Sequence, residues 1–175
     1  MNLDRVAILL ATYNGRLYIE EQLESIRLQT FQNYVCYIHD DGSKDGTKEF
    51  VQSYCLKYKN QFCYVEGQPT GGAMNNFYYL LKKIEADYYF FSDQDDYWHP
   101  QKLERMLKNL KAKENDAQIP YIEFCDLKVV DEQRRILSNS YMKYTGRNRK
   151  DFSPIYLLHR NYAPGCATLI NRKLR

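Results

Sequence analysis

The chain has 175 residues, 44% of them apolar and 27% charged, which is the length and balance of one folded domain and excludes a long repeat array or disorder along most of its length. Twenty-five Lys and Arg against 22 Asp and Glu leave a net charge of +3, too mild and too mixed in sign for an electrostatic nucleic-acid binder, so no nucleic-acid partner is expected. The five scattered cysteines form no C-x-x-C pair and support neither a disulfide framework nor a zinc site; they read as small buried hydrophobes of a reducing cytosol.

In chain order, Val6 to Ala11 is a continuous apolar run closed by Thr12-Tyr-Asn-Gly15, a buried strand ending in a turn. It is too short for a signal-peptide core or a membrane span, and no other stretch reaches about 18 apolar residues, so the expected compartment is the cytoplasm. Ile19, Leu23 and Ile26 then follow at the spacing of one helix face. Tyr34 to Ile38 with Phe50, Val51 and Tyr54 repeats the strand, turn, helix order. Phe62 to Val65 with Phe77, Leu81 and Ile84, and Tyr88 to Phe91 with Leu103, Leu107 and Leu110, repeat it again. Such alternation predicts an α/β chain with a mostly parallel sheet and helices on both faces. Beyond about residue 120 the pattern changes: Tyr121 to Leu127 and Val129-Val130 read as strand, Arg134 to Asp151 as polar loop, Phe152 to His159 as a short helix, and Cys166 to Ile170 as a last apolar segment. Right-handed crossovers put the turns after the strands along one sheet edge, where chemistry is to be sought.

Those turns hold the polar oddities. Ser92-Asp-Gln-Asp-Asp-Tyr-Trp-His-Pro100 sets Asp93, Asp95 and Asp96 just beyond an apolar strand. Like charges this close raise one another's pKa unless a cation neutralises them. Oxygen ligands favour Mg²⁺ or Mn²⁺, with water and substrate phosphate completing the shell. A helix cap explains one acid near Pro100 but not three. His39-Asp-Asp-Gly-Ser-Lys-Asp-Gly-Thr47 is a second acidic turn, in which Asp45 or Thr47 could simply cap the next helix and an Asp could accept a hydrogen bond from a pyrimidine ring N–H. Gly67 to Asn76 is glycine-rich and leads into a helix, where backbone N–H groups can meet phosphate. It is not a P-loop, and no G-x-G-x-x-G occurs, which removes the main support for ATPase and Rossmann dehydrogenase readings.

The order Ala11-Thr-Tyr-Asn-Gly15, Gln29-Thr-Phe31, Asp40-Asp-Gly-Ser43 with Asp45-Gly-Thr47, Asn76-Phe77 and Ser92-Asp-Gln-Asp-Asp-x-Trp-x-Pro100 resembles the family 2 glycosyltransferases of GT-A fold. The nearest flavour is the bacterial rhamnosyltransferase-like branch of surface-polysaccharide synthesis. The resemblance implies a Rossmann-like, mostly parallel sheet and a metal-dependent inverting transferase. Its donor would be a UDP- or dTDP-linked sugar, and its acceptor a saccharide or lipid-linked group. It places nucleotide contacts on Ala11, Thr12, Tyr13, Asp41, Asn76 and Asp93, and the metal on Asp95 and Asp93, with Mg²⁺ or Mn²⁺ as cofactor. Asp96 has no firm role, and Trp98 and Pro100 look structural.

The resemblance also divides the chain into a donor-binding part, 1–118, and the start of an acceptor-side part, 119–175. The family's acidic base falls downstream of Gly165-Cys-Ala-Thr168, so the chain is expected to be the donor-binding piece of a longer protein, with little transfer alone. Asp126 and Asp131 are base candidates by default. Lys143, Arg147, Arg149 and Lys150 read as loop, which the resemblance allows to face an acceptor or the inner face of a membrane. His99 and His159 lack a metal-ligand spacing. A non-catalytic nucleotide-sugar binding module, or a response-regulator-like domain with an acidic pocket, is the alternative from another class.

Overall fold

The computed structural model describes residues 4–116, 118–146 and 163–175. A six-stranded sheet forms the centre, built from β1 (Val6–Thr12), β2 (Tyr34–Asp40), β3 (Phe62–Tyr64), β4 (Tyr88–Ser92), β5 (Ile122–Phe124) and β8 (Thr168–Asn171), while β6 (Val129–Val130) and β7 (Ile136–Ser138) make a separate antiparallel pair. The order is β3-β2-β1-β4-β8-β5. β1 pairs in parallel with β2 and β4, β2 in parallel with β3, and β8 runs antiparallel to both β4 and β5. Every residue of β1 is buried, because it has strands on both sides and helices over both faces.

Four helices follow the first four strands: α1 (Ile19–Arg27), α2 (Thr47–Lys57), α3 (Ala73–Lys83) and α4 (Lys102–Lys113). From β1 through β3 the chain steps one way along the sheet, then jumps back across β1 to β4. Right-handed crossovers therefore put α1 and α2 on one face and α3 on the other. The packing agrees. Val6, Ile8 and Leu10 meet Ile19, Leu23 and Ile26 of α1 and Val51 of α2, with Leu103 and Leu107 of α4 on the same side. Ala7 and Leu9 meet Leu80 of α3. Each fully buried Leu or Ile contributes about 1.5 to 3 kcal/mol.

The expected elements fall where the periodicity puts them through α4, except that α3 buries Leu80 while Phe77, Leu81 and Ile84 are only half-buried. Later, the strand read over Tyr121 to Leu127 shrinks to β5. The stretch from Arg134 read as loop contains β7 and a short helix α5 (Tyr141–Tyr144). Ser140 accepts from Lys143 N, and Asp126 accepts from Met142 N and from Ser140 Oγ; these side-chain caps order a polar segment that hydropathy alone leaves blank. The helix expected over Phe152 to His159, and Arg147, Arg149, Lys150 and His159, lie outside the described residues. No helix among the described residues is long and apolar enough to cross a membrane.

Candidate functional site

A cleft of about 580 Å³ opens over the C-terminal ends of β1, β2 and β4, lined by Ala11, Thr12, Tyr13, Asp41, Pro69, Gly71, Gly72, Ala73, Asn76, Asp93, Gln94 and Asp95. It lies at the sheet's topological switch point, where the strand order reverses between β1 and β4 and the loops on either side diverge. All seven residues taken from the sequence as nucleotide or metal contacts sit in this lining. Tyr13 is exposed and offers an aromatic face.

The second acidic turn divides into scaffold and site. Asp40 is buried and accepts from Gly42 N, Ser43 N and Ser43 Oγ. Asp45 accepts from Thr47 and from Arg16 N, Thr47 Oγ1 accepts from Gly15 N, and Ser43 Oγ from Asn14 N. These bonds tie the loop after β1 to the loop after β2. Asp41 alone of the three acids lines the cleft. Its Oδ1 accepts from Thr70 N, Thr70 Oγ1 (2.8 Å) and Gly71 N (3.2 Å), and its Oδ2 from Gly72 N (2.7 Å). The N–H groups of the glycine-rich loop are therefore turned to Asp41, the anion the chain itself supplies there. Burial pushes the Asp41 carboxyl up, and the Thr70, Gly72 and Gly71 donors outweigh it, holding the group below the ordinary aspartate range.

Asp41→Asn puts an NH₂ where at least one of these donors points, so it is expected to cost about 1 to 3 kcal/mol, read by urea denaturation at neutral pH. A carboxyl depressed in the folded state contributes stability above its unfolded pKa near ~4. That contribution is lost as pH falls through the lower folded value, so wild type and variant should converge in acid.

The turn after β4 divides its three acids. Asp95 is exposed and lines the cleft with Asp93, while Asp96 is half-buried and outside the lining. Instead, carboxylate oxygens of Asp93 and Asp96 and the Cys166 thiol lie within 4.8 Å of one another. Burial, then the neighbouring acids, push Asp93 up; burial likewise pushes Asp96 up, and the Cys166 thiol and the Lys102 charge counter it. Only Asp93 and Asp95 of the three acids thus line the cleft. Asp93 and Asp95 form an all-oxygen pair at the cleft, a donor set that fits a hard divalent cation such as Mg²⁺ or Mn²⁺.

The frame under this turn is Trp98, buried against Phe90 (6.2 Å between centroids), its backbone N–H donating to Ser25 Oγ at 3.0 Å. With the Gln22 amide oriented to satisfy both its ends, Nε2 donates to the Asp96 carbonyl and Oε1 accepts from Ser92 Oγ and Trp98 Nε1. Pro100 precedes α4, and its carbonyl accepts from Thr30 N. The buried indole agrees with the structural reading of Trp98, whereas Pro100 stands one residue before the α4 N-cap, Gln101, and no acid of the turn caps the helix.

Asn76 is buried and spends both ends on one residue: Nδ2 donates to the His39 carbonyl (3.1 Å) and Oδ1 accepts from His39 Nδ1 (2.9 Å), which assigns the ring proton to Nδ1. His39 Nε2 has no hydrogen-bond partner among the described residues. A Cβ at Gly67 would come within 2.6 Å of it, so glycine there leaves room for the imidazole. Several residues of the site carried no sequence signal. Gln94 Oε1 accepts from Thr12 Oγ1 and Tyr13 N while its Nε2 donates to the Tyr13 carbonyl, fixing the β1 loop to the acid turn. Gln22, Lys102 and Cys166 are likewise recruited by tertiary contact. Asp126 and Asp131 use their oxygens on nearby turns: Asp131 accepts from Gln133 N, Arg135 N and Arg135 Nε, and Asp126 from Leu127 N besides its α5 partners.

The sequence and the fold have counterparts. The family model described as "Glycosyl transferase family 2" matches residues 7–173. An uncharacterized glycosyltransferase of Rickettsia typhi is 31% identical over 170 residues, 94% of this chain and 49% of the relative. The dTDP-rhamnosyl transferase RfbG of Shigella flexneri is 38% identical over 102 residues, 56% of this chain and 35% of its own length. Among solved structures, S. aureus TarS in complex with UDP covers 80% of this chain and 44% of its own, at 23% identity and TM-score 0.60. The mannosyltransferase PcManGT from Pyrobaculum calidifontis, in complex with GDP-Man and Mn²⁺, covers 72% and 36%, at 22% identity and TM-score 0.61. The fold is thus the α/β GT-A type, and the chain spans about half the length of the Rickettsia relative. With the family model running over nearly all of its residues, this chain belongs to glycosyl transferase family 2.

Proposed function

We propose that the chain provides the donor-binding part of an inverting glycosyltransferase, which moves a sugar from a UDP- or dTDP-linked donor to a saccharide or lipid-linked acceptor in cell-surface polysaccharide synthesis. The observation that carries this is one cleft at the switch point lined by Ala11, Thr12, Tyr13, Asp41, Asn76, Asp93 and Asp95 together. Its volume falls in the range of about 300 to 1,000 Å³ usual for small-molecule sites. Tyr13 offers a face to the base, and Asp41, held ionised by the glycine-rich loop, keeps one acceptor position, on Oδ2, for a pyrimidine N–H. Asp93 lies toward the ribose, and Asp93 with Asp95 would hold Mg²⁺ or Mn²⁺. When bound, the cation offsets charge on the departing diphosphate. Residues 1–118 form the donor side in this reading and 119–175 the beginning of the acceptor side. The reaction belongs to the cytoplasm or the inner face of its membrane. Asp126 and Asp131, tied into their turns, are not assigned as the base.

The names of relatives support the choice of donor and pathway: one is a dTDP-rhamnosyl transferase and another a putative teichuronic acid biosynthesis glycosyltransferase of Bacillus subtilis. The response-regulator alternative has no support from the family match. Calorimetry with UDP, dTDP and GDP, each with and without Mn²⁺, tests the reading. UDP or dTDP should bind better than GDP, and Mn²⁺ should tighten binding about tenfold, about 1.4 kcal/mol. Affinity indifferent to Mn²⁺ counts against Asp93 and Asp95, and failure of all the nucleotides to bind counts against the cleft.

A further inference from the structure

The acid turn already has a cation of its own. Lys102, at the start of α4, extends beneath the turn with its Nζ 3.7 Å from the centroid of the Trp98 ring and 2.6 Å from the Cys166 carbonyl oxygen, to which it donates. A lysine of this length would ordinarily reach for solvent. Here an aromatic face and a backbone acceptor hold the ammonium; burial pushes its pKa below the ordinary lysine range, and Cys125, Asp96, Cys166 and Asp93 draw it back up. Cys166 links the two sides: its carbonyl takes the Lys102 proton donor, while its thiol lies among the oxygens of Asp93 and Asp96.

Resting on the nucleotide and cation reading given above, we propose that Lys102 is the internal countercation of the turn: it balances Asp96 and part of Asp93, and so sets how strongly the cleft-facing Asp93 and Asp95 draw a divalent ion. It is a positioning residue and touches neither donor nor metal. The placement accounts for the division of the three acids. Asp96, clustered with the thiol of Cys166, whose carbonyl holds Lys102, is absent from the cleft lining, and Asp95, outside that cluster, is exposed there. A fixed positive charge behind Asp93 lowers the pull of the pair on an incoming cation, because charges a few ångströms apart in a partly desolvated turn are poorly screened. The same charge would favour the diphosphate that arrives with the ion. The turn is thereby tuned to take cation and nucleotide jointly in preference to the cation alone.

A merely structural lysine and a countercation differ in sign. Mn²⁺ alone is titrated into the 175-residue chain, with free Mn²⁺ read by its electron paramagnetic resonance signal. Lys102→Met keeps the stem on Trp98 and removes the charge; it should bind Mn²⁺ about tenfold more tightly than wild type, the size expected for a nearby charge in a half-screened site. Lys102→Gln keeps a donor for the Cys166 carbonyl, carries the same expectation, and remains readable if the Met variant does not fold. Lys102→Arg keeps the charge and should stay within about twofold of wild type. Folded Met or Gln variants that bind Mn²⁺ with unchanged or weaker affinity overturn the proposal, because lost packing alone loosens a site. Wild type that takes up no Mn²⁺ even with UDP present brings down the cation reading and this inference with it. Wild type that binds Mn²⁺, with neutral variants indistinguishable from it, brings down this inference alone.

Discussion

Asp95→Asn is expected to weaken Mn²⁺ binding by about 100-fold, since groups that only hydrogen-bond a metal ligand already change metal affinity by about 10 to 100-fold, and so to remove most of the about tenfold gain in nucleotide affinity that Mn²⁺ confers. Asp95 is the acid of the turn that is exposed at the cleft, so its replacement should leave stability within about 0.5 kcal/mol of wild type, as surface substitutions do. Asp96→Asn is the built-in contrast. That carboxylate faces Cys166 and the Lys102 field, and its loss should change nucleotide affinity far less. Calorimetry of both variants with UDP and Mn²⁺ separates them, and equal losses would mean that the structure has divided the acids wrongly.

Trp98→Ala carries the largest expected cost in stability, about 3 to 5 kcal/mol. The indole is 2% exposed, packs on Phe90 and lies beneath the Lys102 ammonium. It also gives its ring N–H to Gln22. Removing it opens a cavity and leaves Gln22 Oε1 short of a donor under the turn that carries Asp93 and Asp95. Trp98→Phe keeps most of the apolar volume and loses the N–H, so a smaller cost of about 1 to 3 kcal/mol is expected. Because Trp98 is the sole tryptophan, unfolding is best followed by circular dichroism in urea. A Phe variant as unstable as the Ala variant would show that the hydrogen bond, and not the buried area, dominates.

The sheet was legible because its signals are local. Val6 to Ala11 is apolar throughout, as a strand covered on both faces must be, and Leu103, Leu107 and Leu110 mark one helix face within a single segment. Which turns line the cleft was legible too, since crossover geometry brings the turns after parallel strands to one edge; the individual residues were what the family resemblance implied. What each acid of a motif does was not. Asp40, Asp41 and Asp45 look alike as a sequence of turn residues, yet two are scaffold for neighbouring loops and one faces the cleft, a distinction set by the glycine-rich loop some 30 residues later. The countercharge to Asp93 and Asp96 was invisible for the same reason. Lys102 reads as an ordinary residue at a helix start, and only the return of the chain at Gly165–Ala167 supplies the carbonyl that holds it. The helix α5 escaped because side-chain caps, and not hydrophobic period, order it, and the short strand β7 because it is set by pairing with β6.

The most direct test of the account is a crystal grown with UDP or dTDP and Mn²⁺, measured at a wavelength that gives manganese an anomalous signal. The account predicts one manganese peak in the cleft, within direct ligand reach of Asp95 or Asp93 and beside the diphosphate, with the base beside Tyr13 and Asp41. Nucleotide seated away from the ends of β1 and β4, or bound in the cleft with no manganese beside these acids, would contradict it.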